Sequence, residues 1–150
     1  MPHSYCNLLY HIVFSTKDRR PWLTAERRPK LCDYMGGVIR NRGGILLAAN
    51  GIEDHIHVLA KLRPDKALSD VLRDLKAGSS GWVSQFFPDL REFKWQNGYA
   101  AFTVSASQVA DVKKYIAHQE EHHRKFDFRA ELMALLRANE IDFDERYLLP

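Results

Sequence analysis

The sequence has few cysteines and no long apolar run. Its two cysteines, Cys6 and Cys32, lie far apart, and no Cys-x-x-Cys motif is present. This excludes a disulfide-rich scaffold and predicts two buried free thiols, not a disulfide, in a reducing cytosol. No segment approaches the roughly 20 apolar residues that a membrane-spanning helix requires. The N-terminus has no basic segment followed by an apolar stretch. We therefore expect no membrane association and no secretory signal peptide.

Several motifs of common enzyme classes are also absent. The chain has no P-loop and no G-x-G-x-x-G fingerprint, so we expect no nucleotide cofactor. The lack of an H-E-x-x-H sequence argues against a zinc protease, and the lack of G-x-S-x-G argues against a serine hydrolase elbow. The function must therefore be inferred from other local patterns.

The composition is that of one ordinary globular domain. The 150 residues are 45% hydrophobic and 27% charged, which argues against a disordered or fibrous chain. We expect a single domain over residues 1–150, with residues 141–150 as a C-terminal tail that docks on the body or on a partner chain. The 22 basic and 19 acidic residues give a net charge of +3, which permits nucleic-acid binding without requiring it.

Hydrophobic periodicity predicts four strands and four helices. The strands cover residues 5–15, 45–51, 55–61 and 93–104, the last one bent or broken. The second and third strands form an antiparallel hairpin. The helices cover residues 24–41, 67–87, 107–123 and 127–138, with Thr24 and Ser107 as N-caps. The order β-α-β-β-α-β-α predicts an α+β, ferredoxin-like fold, with helices mainly on one face of an antiparallel sheet.

The sequence D-H-I-H at residues 54–57 places two histidines on the third predicted strand. Residues two apart in a strand point to the same side, so His55 and His57 flank one spot and could supply two metal ligands. The same pattern also fits two histidines on the surface or on an edge strand.

The third predicted helix carries a second candidate set. Tyr115 and Gln119 are four residues apart and share one face of the helix, which His122 continues. A tyrosine hydroxyl can act as a nucleophile when a cation lies near a target phosphate, and an amide oxygen is a hard metal ligand. An amphipathic helix with a half-buried tyrosine and a solvated glutamine fits equally. His118 and His122, with His123 beside them, are a weaker candidate for a second metal site.

Cationic and aromatic side chains alternate along several segments, which suits single-stranded nucleic acid because phosphates attract charge and bases stack on flat faces. Ordinary solvated charge and core aromatics would account for the same residues. The segments contain Lys17, Arg19, Arg20, Arg73, Lys76, Ser79, Ser80, Trp82, Lys94, Trp95, Tyr99, Lys113, Lys114, Arg124 and Lys125.

Taken in order, these motifs resemble the bacterial single-tyrosine HUH transposases, which move insertion sequences as single-stranded DNA and include the REP-associated tyrosine transposases. The resemblance runs from about Ser4 to Tyr147. Each motif is weak alone, and the order makes the set specific. The landmarks are H-I-V-F-S-T-K at 11–17, D-H-I-H-V-L at 54–59, L-K at 75–76, S-S at 79–80, W-Q-N-G-Y at 95–99, F-T-V-S at 102–105 and V-K-K-Y-I-A-H-Q-E-E-H-H at 112–123.

The resemblance implies a mechanism and a set of roles. His55, His57 and Gln119 would hold Mg²⁺ or Mn²⁺, and Tyr115 would attack a DNA phosphate to give a 5′-phosphotyrosine and a free 3′-OH. The substrate would be single-stranded DNA with hairpin-marked ends, and cleavage would be followed by rejoining. Lys17, Arg19, Arg20 and Lys76 would contact the DNA backbone.

The resemblance also bears on assembly. Small members of the family are commonly dimers in which the histidine pair of one subunit meets the tyrosine helix of the other, whereas the REP-associated branch can act as monomers. A homodimer in the cytoplasm is therefore expected here.

Two alternatives stay open. One is a DNA-hairpin-binding protein of the same fold that has lost strand transfer. The other is a replication-initiator or relaxase-type HUH nicking enzyme. Those enzymes are usually larger or carry a third histidine near the pair, and the sequence around residues 55–57 has none.

Overall fold

The computed structural model describes residues 4–148. The helices and strands follow the predicted order, and all strand pairings are antiparallel. The sheet order β2-β3-β1-β4 places β1 and β3 in the centre, which confirms the predicted ferredoxin-like arrangement. The strands are β1 Leu8–Ser15, β2 Ile45–Ile52, β3 His55–Leu62 and β4 Ala100–Val104. The helices are α1 Arg27–Asn41, α2 Leu68–Phe86, α3 Val109–Ala117, α4 Gln119–His122 and α5 Phe128–Ala138.

Side-chain alternation on the two central strands separates an apolar face from a histidine-bearing face. Ile12 and Phe14 of β1 join Ile56 and Val58 of β3 in the main core, which α1 and α2 cover. His57 and its neighbour Val13 therefore point to the opposite face. The prediction of helices mainly on one face holds for the two longest helices. The shorter α3, α4 and α5 lie on the opposite face, around the histidines.

The third predicted helix is interrupted, which corrects the prediction of one helix over residues 107–123. Helix α3 ends at Ala117, and His118 has φ −101° and ψ 26° before α4 begins. The amide of Asn50 on β2 donates to the carbonyls of Ile116 at 3.1 Å and Ala117 at 3.4 Å, so these terminal carbonyls are bonded by the sheet. This contact holds the end of α3 against β2.

The predicted N-caps of two helices are also wrong. Ser107 lies in a 3₁₀ turn, where its hydroxyl contacts that of Ser105, and no side chain caps α3. Thr24 accepts hydrogen bonds at the start of α1 through its backbone carbonyl, not its hydroxyl. Asp127 does cap α5, accepting a 2.8 Å hydrogen bond from the amide of Ala130. Of these three residues, only Asp127, which was not predicted as an N-cap, caps a helix with its side chain.

The fourth strand is broken as predicted. Only Ala100–Val104 pairs with β1 as a strand, and upstream the chain makes a single bridge between Trp95 and Thr16. Helix α2 holds the intervening loop: the Trp95 indole donates to Ser79 at 2.9 Å, and Lys76 donates to the carbonyl of Gln96 at 2.7 Å. Ser79, Lys76 and Trp95, which the sequence offered as possible DNA contacts, thus support the fold at this loop.

The C-terminal tail docks on its own chain as far as it is described. Phe143 and Leu148 pack against the cluster around α5. Arg129 donates to the carbonyls of Glu145 at 2.8 Å and Leu148 at 3.1 Å. Residues 149 and 150 of the predicted tail lie outside the described residues.

Both cysteines are free, as expected. The prediction that both thiols are buried is wrong for Cys6, which is exposed. Cys32 is partly buried, and burial raises the pKa of its thiol to about 11. Within residues 4–148, no helix combines the length and the apolar character needed to cross a membrane.

The hairpin between β2 and β3 brings two backbones into close contact at Gly51. A Cβ built on Gly51 would overlap the carbonyl oxygen of His55. Because this contact is with backbone, we expect Gly51→Ala to lower the free energy of unfolding by about 1–3 kcal/mol. The same change at Gly81 in α2 meets nothing within 4 Å and should raise it by about 0.5–1 kcal/mol. Urea unfolding of both variants checks this, and equal effects would contradict the close contact.

Candidate active site

The histidine pair lies on a central strand and is fully buried. His55 and His57 are both 0% exposed, so the interpretation as surface or edge-strand histidines is wrong. His55 donates from Nδ1 to Asp54 at 2.8 Å, and Nδ1 of His57 shares a 2.8 Å hydrogen bond with Nε2 of His11 on β1. Both rings therefore direct Nε2 toward the same interior point. Partners that fix the outer nitrogen in this way are typical of metal-binding imidazoles.

Tyr115, on α3, and Gln119, at the start of α4, lie close to the histidine pair. The break between the two helices separates them along the chain. The Gln119 side chain is buried, so the interpretation as a solvated glutamine is wrong. Its Oε1 lies 3.2 Å from Nε2 of His55. Tyr115 is half-buried, and its hydroxyl donates to Glu131. The structure therefore brings together all four residues predicted for the catalytic centre.

Glu131 of α5 lies at the centre of this cluster, and the sequence analysis missed it. Its Oε1 is 2.9 Å from Nε2 of His57 and 3.1 Å from Nε2 of His55. Its Oε2 accepts from Tyr115 and, at 3.1 Å, from the amide of Gln119. Its position in the sequence could have indicated a buried functional role. Glu131 follows Phe128 by three residues, on the apolar stripe of an amphipathic helix, where a carboxylate is unusual.

His123, which the sequence suggested only for a second metal site, also lies at the main site. Its Nδ1 donates to the carbonyl of Phe126 at 2.7 Å. Its Nε2 lies 3.0 Å from Oε1 of Glu131 and 3.1 Å from Oε1 of Gln119. A third imidazole, from the residue that follows α4, thus reaches the pair.

The second metal site suggested for His118 and His122 is not assembled. His118 is exposed and bonds through Nδ1 to the carbonyl of Lys114, whereas Nε2 of His122 lies 3.3 Å from Glu131. The two rings therefore face different partners.

The charges in the cluster are strongly coupled. Burial alone would raise the pKa of Glu131, but the imidazole nitrogens of His123, His55 and His57 outweigh it and hold that pKa well below its usual range. Burial and the Glu131 carboxylate together raise the pKa of Tyr115. The cluster thus combines an ionised carboxylate with a protonated phenol.

The histidines differ in the direction in which their pKa values are shifted. Burial lowers the pKa of His57 to about 4 and that of His11 to about 3, so both rings are neutral near pH 7. Burial also opposes the charging of His55, but its hydrogen bonds to Asp54 and Glu131 outweigh burial and raise its pKa.

The donor set fits a divalent cation. The ligand atoms of His55, His57, His123 and Glu131 all lie within 4.8 Å of one another. The amide of Gln119 must direct its NH₂ toward the Glu131 carboxylate, which leaves Oε1 facing the imidazoles. Imidazole nitrogens and carboxylate or amide oxygens are ligands for the divalent metals that assist phosphate chemistry.

Two of the concave surfaces carry lysine and arginine side chains. A cleft over Tyr115 is lined by His118, Glu121, His122, Arg124, Lys125 and Phe126, and Phe126 is 52% exposed. The second surface, which we call the basic groove, is lined by Lys17, Asp18, Arg20, Trp22, Arg91, Glu92 and Lys94.

The basic groove is tied to the active site through the backbone. The amide of Thr16, just before Lys17, donates to the carbonyl of Asp54 at 2.8 Å. The backbone amide of Lys17 donates to the carbonyl of Lys94 at 2.9 Å. Of the four predicted DNA contacts, Lys17 and Arg20 line the groove, Arg19 follows Lys17 in a 3₁₀ turn, and Lys76 is committed to loop carbonyls.

Comparisons with known proteins agree with this geometry. Residues 4–119 match the family model described as Transposase IS200 like. The chain is 32% identical over 130 residues to the transposase for insertion sequence element IS200 of Salmonella typhimurium, covering 83% of this chain and 84% of the relative. It is 28% identical over 119 residues to the ISDra2 transposase TnpA of Deinococcus radiodurans, covering 76% and 85%.

Two solved structures share the fold. A putative transposase from Deinococcus radiodurans matches with a TM-score of 0.65 and 27% identity, covering 78% of this chain and 94% of that one. A REP-associated tyrosine transposase bound to a REP hairpin matches with a TM-score of 0.61 and 18% identity, covering 81% and 72%.

The fold and the cluster define a small α+β protein with a buried histidine pair beside a tyrosine helix. The chain belongs to the IS200-like transposase family. The matched range ends at Gln119, so His123 and Glu131 lie outside it.

Proposed function

We propose that this transposase cleaves and rejoins single-stranded DNA at hairpin-marked ends through a 5′-phosphotyrosine. The observation that carries the proposal is the convergence of Tyr115, Gln119 and the histidine pair on one buried carboxylate, Glu131, beside an open cleft. Binding alone would need no tyrosine hydroxyl at such a cluster.

The strand-cleaving step uses the Tyr115 hydroxyl as the nucleophile. Its oxygen forms a bond to phosphorus, and the bond from phosphorus to the 3′-oxygen breaks. The phenol loses its proton and the released 3′-oxygen gains one, so the exchange consumes no proton overall. The new phosphotyrosine conserves the energy of the broken bond, so a 3′-OH from another end can rejoin the strand by the reverse exchange. This fits a chain without a P-loop.

The protein residues prepare this step. The Tyr115 hydroxyl is held on Glu131, which keeps it protonated and oriented until substrate enters the cleft. His55, His57 and Gln119 would hold Mg²⁺ or Mn²⁺, with His11 and Asp54 fixing the two imidazoles. A divalent cation bound there would stabilise the charge that develops on the scissile phosphate.

The route of the DNA is proposed from charge and aromatic exposure. Arg124 and Lys125 would hold phosphates at the cleft over Tyr115, and the exposed Phe126 ring offers a base a stacking surface. The basic groove would bind the backbone further along the strand or hairpin. We also propose that the protein acts in the cytoplasm as a homodimer. Each subunit would then carry one cluster of His55, His57, Tyr115 and Gln119.

The basic groove gives a prediction on DNA affinity. Replacing Lys17 and Lys94 together by Glu should weaken binding of hairpin DNA about 10-fold or more at 0.1 M salt and flatten its salt dependence. The control is Lys66→Glu, an exposed lysine beyond the end of β3 opposite His55. Fluorescence anisotropy over a salt series checks this. If Lys66→Glu weakens binding as much as the groove changes, the groove is not the DNA path.

The function is tested by incubating the protein with end-labelled DNA in Mn²⁺ and scoring a covalent adduct that survives denaturation. Single-stranded DNA with a hairpin should give adduct, and fully duplex DNA of the same sequence should not. Hairpin binding without an adduct, across a panel of hairpins and with both Mg²⁺ and Mn²⁺, would favour the alternative of a binding protein that has lost strand transfer.

A further inference from the structure

The hydrogen-bond roles of the imidazoles restrict what can occupy the centre of the cluster. Nδ1 of His55 faces the Asp54 carboxylate, and Nδ1 of His123 faces the carbonyl of Phe126. Both partners can only accept, so each ring donates from Nδ1, and a neutral ring carries its lone pair on Nε2.

When the two rings are neutral, as metal ligation requires, those lone pairs point at other acceptors. Nε2 of His55 and of His123 both lie against Oε1 of Gln119 and Oε1 of Glu131, at 3.0–3.2 Å. Four acceptor atoms that face one another in a buried site are stabilised by a cation between them. One divalent ion would accept the lone pairs of both rings and lie beside both oxygen atoms at once.

The spacings between these atoms are those of a metal coordination shell. Adjacent ligands at about 2.1 Å from an octahedral cation are separated by about 3.0 Å. The neighbouring pairs of donors here are 2.9–3.2 Å apart, and they include Nε2 of His57 with Oε1 of Glu131. These spacings are compatible with five donor atoms, from His55, His57, His123, Gln119 and Glu131, around one cation.

We propose that His123 and Glu131 join His55, His57 and Gln119 as ligands of one divalent cation, and that this set selects a first-row transition metal such as Mn²⁺ over Mg²⁺. Three imidazole nitrogens favour transition metals, whereas Mg²⁺ prefers oxygen ligands and keeps several waters. Five protein donors in a six-coordinate shell leave one position, which suits a phosphate oxygen. The inference rests on the proposed function only for the identity of that last ligand.

The test measures metal binding and not activity. We would strip the full chain of metal and titrate Mn²⁺, following the free ion by electron paramagnetic resonance, with Mg²⁺ as competitor. The wild type should bind Mn²⁺ at least about 100-fold more tightly than Mg²⁺. Glu131→Gln and His123→Ala should each weaken Mn²⁺ binding by about 10–100-fold. His123→Ala should also reduce the preference for Mn²⁺ over Mg²⁺.

Matched controls separate ligation from general damage. Glu140→Gln and His118→Ala make the same chemical changes at exposed positions and should leave Mn²⁺ binding unchanged. Pulsed resonance on protein labelled with ¹⁵N-histidine should detect three coordinated imidazoles in the wild type and two in His123→Ala. This spectrum reports ligation directly, even if a variant is less stable.

The outcomes are distinct. Unchanged Mn²⁺ affinity in both Glu131→Gln and His123→Ala, or two coordinated imidazoles in the wild type, would overturn the added ligands. Tighter binding of Mg²⁺ than of Mn²⁺ would overturn the metal class. Either result leaves the proposed function intact if a DNA adduct still forms. Conversely, a five-ligand Mn²⁺ site without any DNA adduct would support the ligands and contradict the proposed function.

Discussion

Replacing Tyr115 by Phe is expected to reduce formation of the covalent DNA adduct by about 10³-fold or more, because the change removes only the attacking oxygen. The ring stays half-buried beside His57 and His11, so the site should keep its shape. The lost hydrogen bond to Glu131 should cost about 1 kcal/mol of folding free energy. DNA affinity and Mn²⁺ affinity should stay within about threefold of wild type.

The measurement is single-turnover cleavage of labelled hairpin DNA, with anisotropy for binding. Tyr10→Phe is the matched control, since this other half-buried tyrosine lies on β1 and packs against the main core, away from the cleft. Unchanged adduct formation in Tyr115→Phe would show that another group is the nucleophile.

Replacing His57 by Ala is expected to have the second largest effect. The change removes one proposed ligand and leaves His11 without its buried partner. We expect Mn²⁺ binding to weaken by about 10–100-fold and adduct formation to fall by at least a similar factor. The free energy of unfolding should drop by about 1–3 kcal/mol.

His57→Gln serves as the second variant, because it keeps a polar side chain and should fold more stably than the alanine. His118→Ala, at an exposed histidine, should bind Mn²⁺ as the wild type does. Wild-type Mn²⁺ affinity in both folded His57 variants would remove this residue from the ligand set.

The fold could be predicted well from the sequence because the two central strands carry strong alternation. Residues such as Ile12, Phe14, Ile56 and Val58 all point to one face, and this places His57 on the other. The break of the third helix at His118 could not be predicted, because the carbonyls at its end are bonded by the amide of Asn50, which lies on the second predicted strand and far away in the sequence. Long-range hydrogen bonds of this kind leave no periodic signal.

The candidate site was predictable only in its local parts. The pairs His55 with His57 and Tyr115 with Gln119 follow from strand and helix spacing, and all four meet in the structure. Glu131 could not be placed, because its partners come from β3, α3 and α4 and its own helix looks like an ordinary amphipathic one. The same holds for His11, whose ring reaches His57 across neighbouring strands.

The roles of the basic residues are harder to assign from the sequence. Lys76 looked like a DNA contact beside Ser79 and Trp95, yet its ammonium bonds to the carbonyls of Gln96 and Gly98. Charge in a sequence does not distinguish a phosphate contact from a loop support, since both use the same donor. The groove that contains Lys17 and Arg20 is visible only once the fold brings Arg91 and Lys94 beside them.

The central claim is that Tyr115 becomes covalently linked to the 5′-phosphate of cleaved single-stranded DNA. The direct test is mass spectrometry of the adduct after digestion with protease and nuclease. We predict that the peptide containing Tyr115 carries a 5′-linked nucleotide, and that the released DNA fragment ends in a free 3′-OH. A modification on any other residue, or a cleaved strand with no protein attached, would contradict the account.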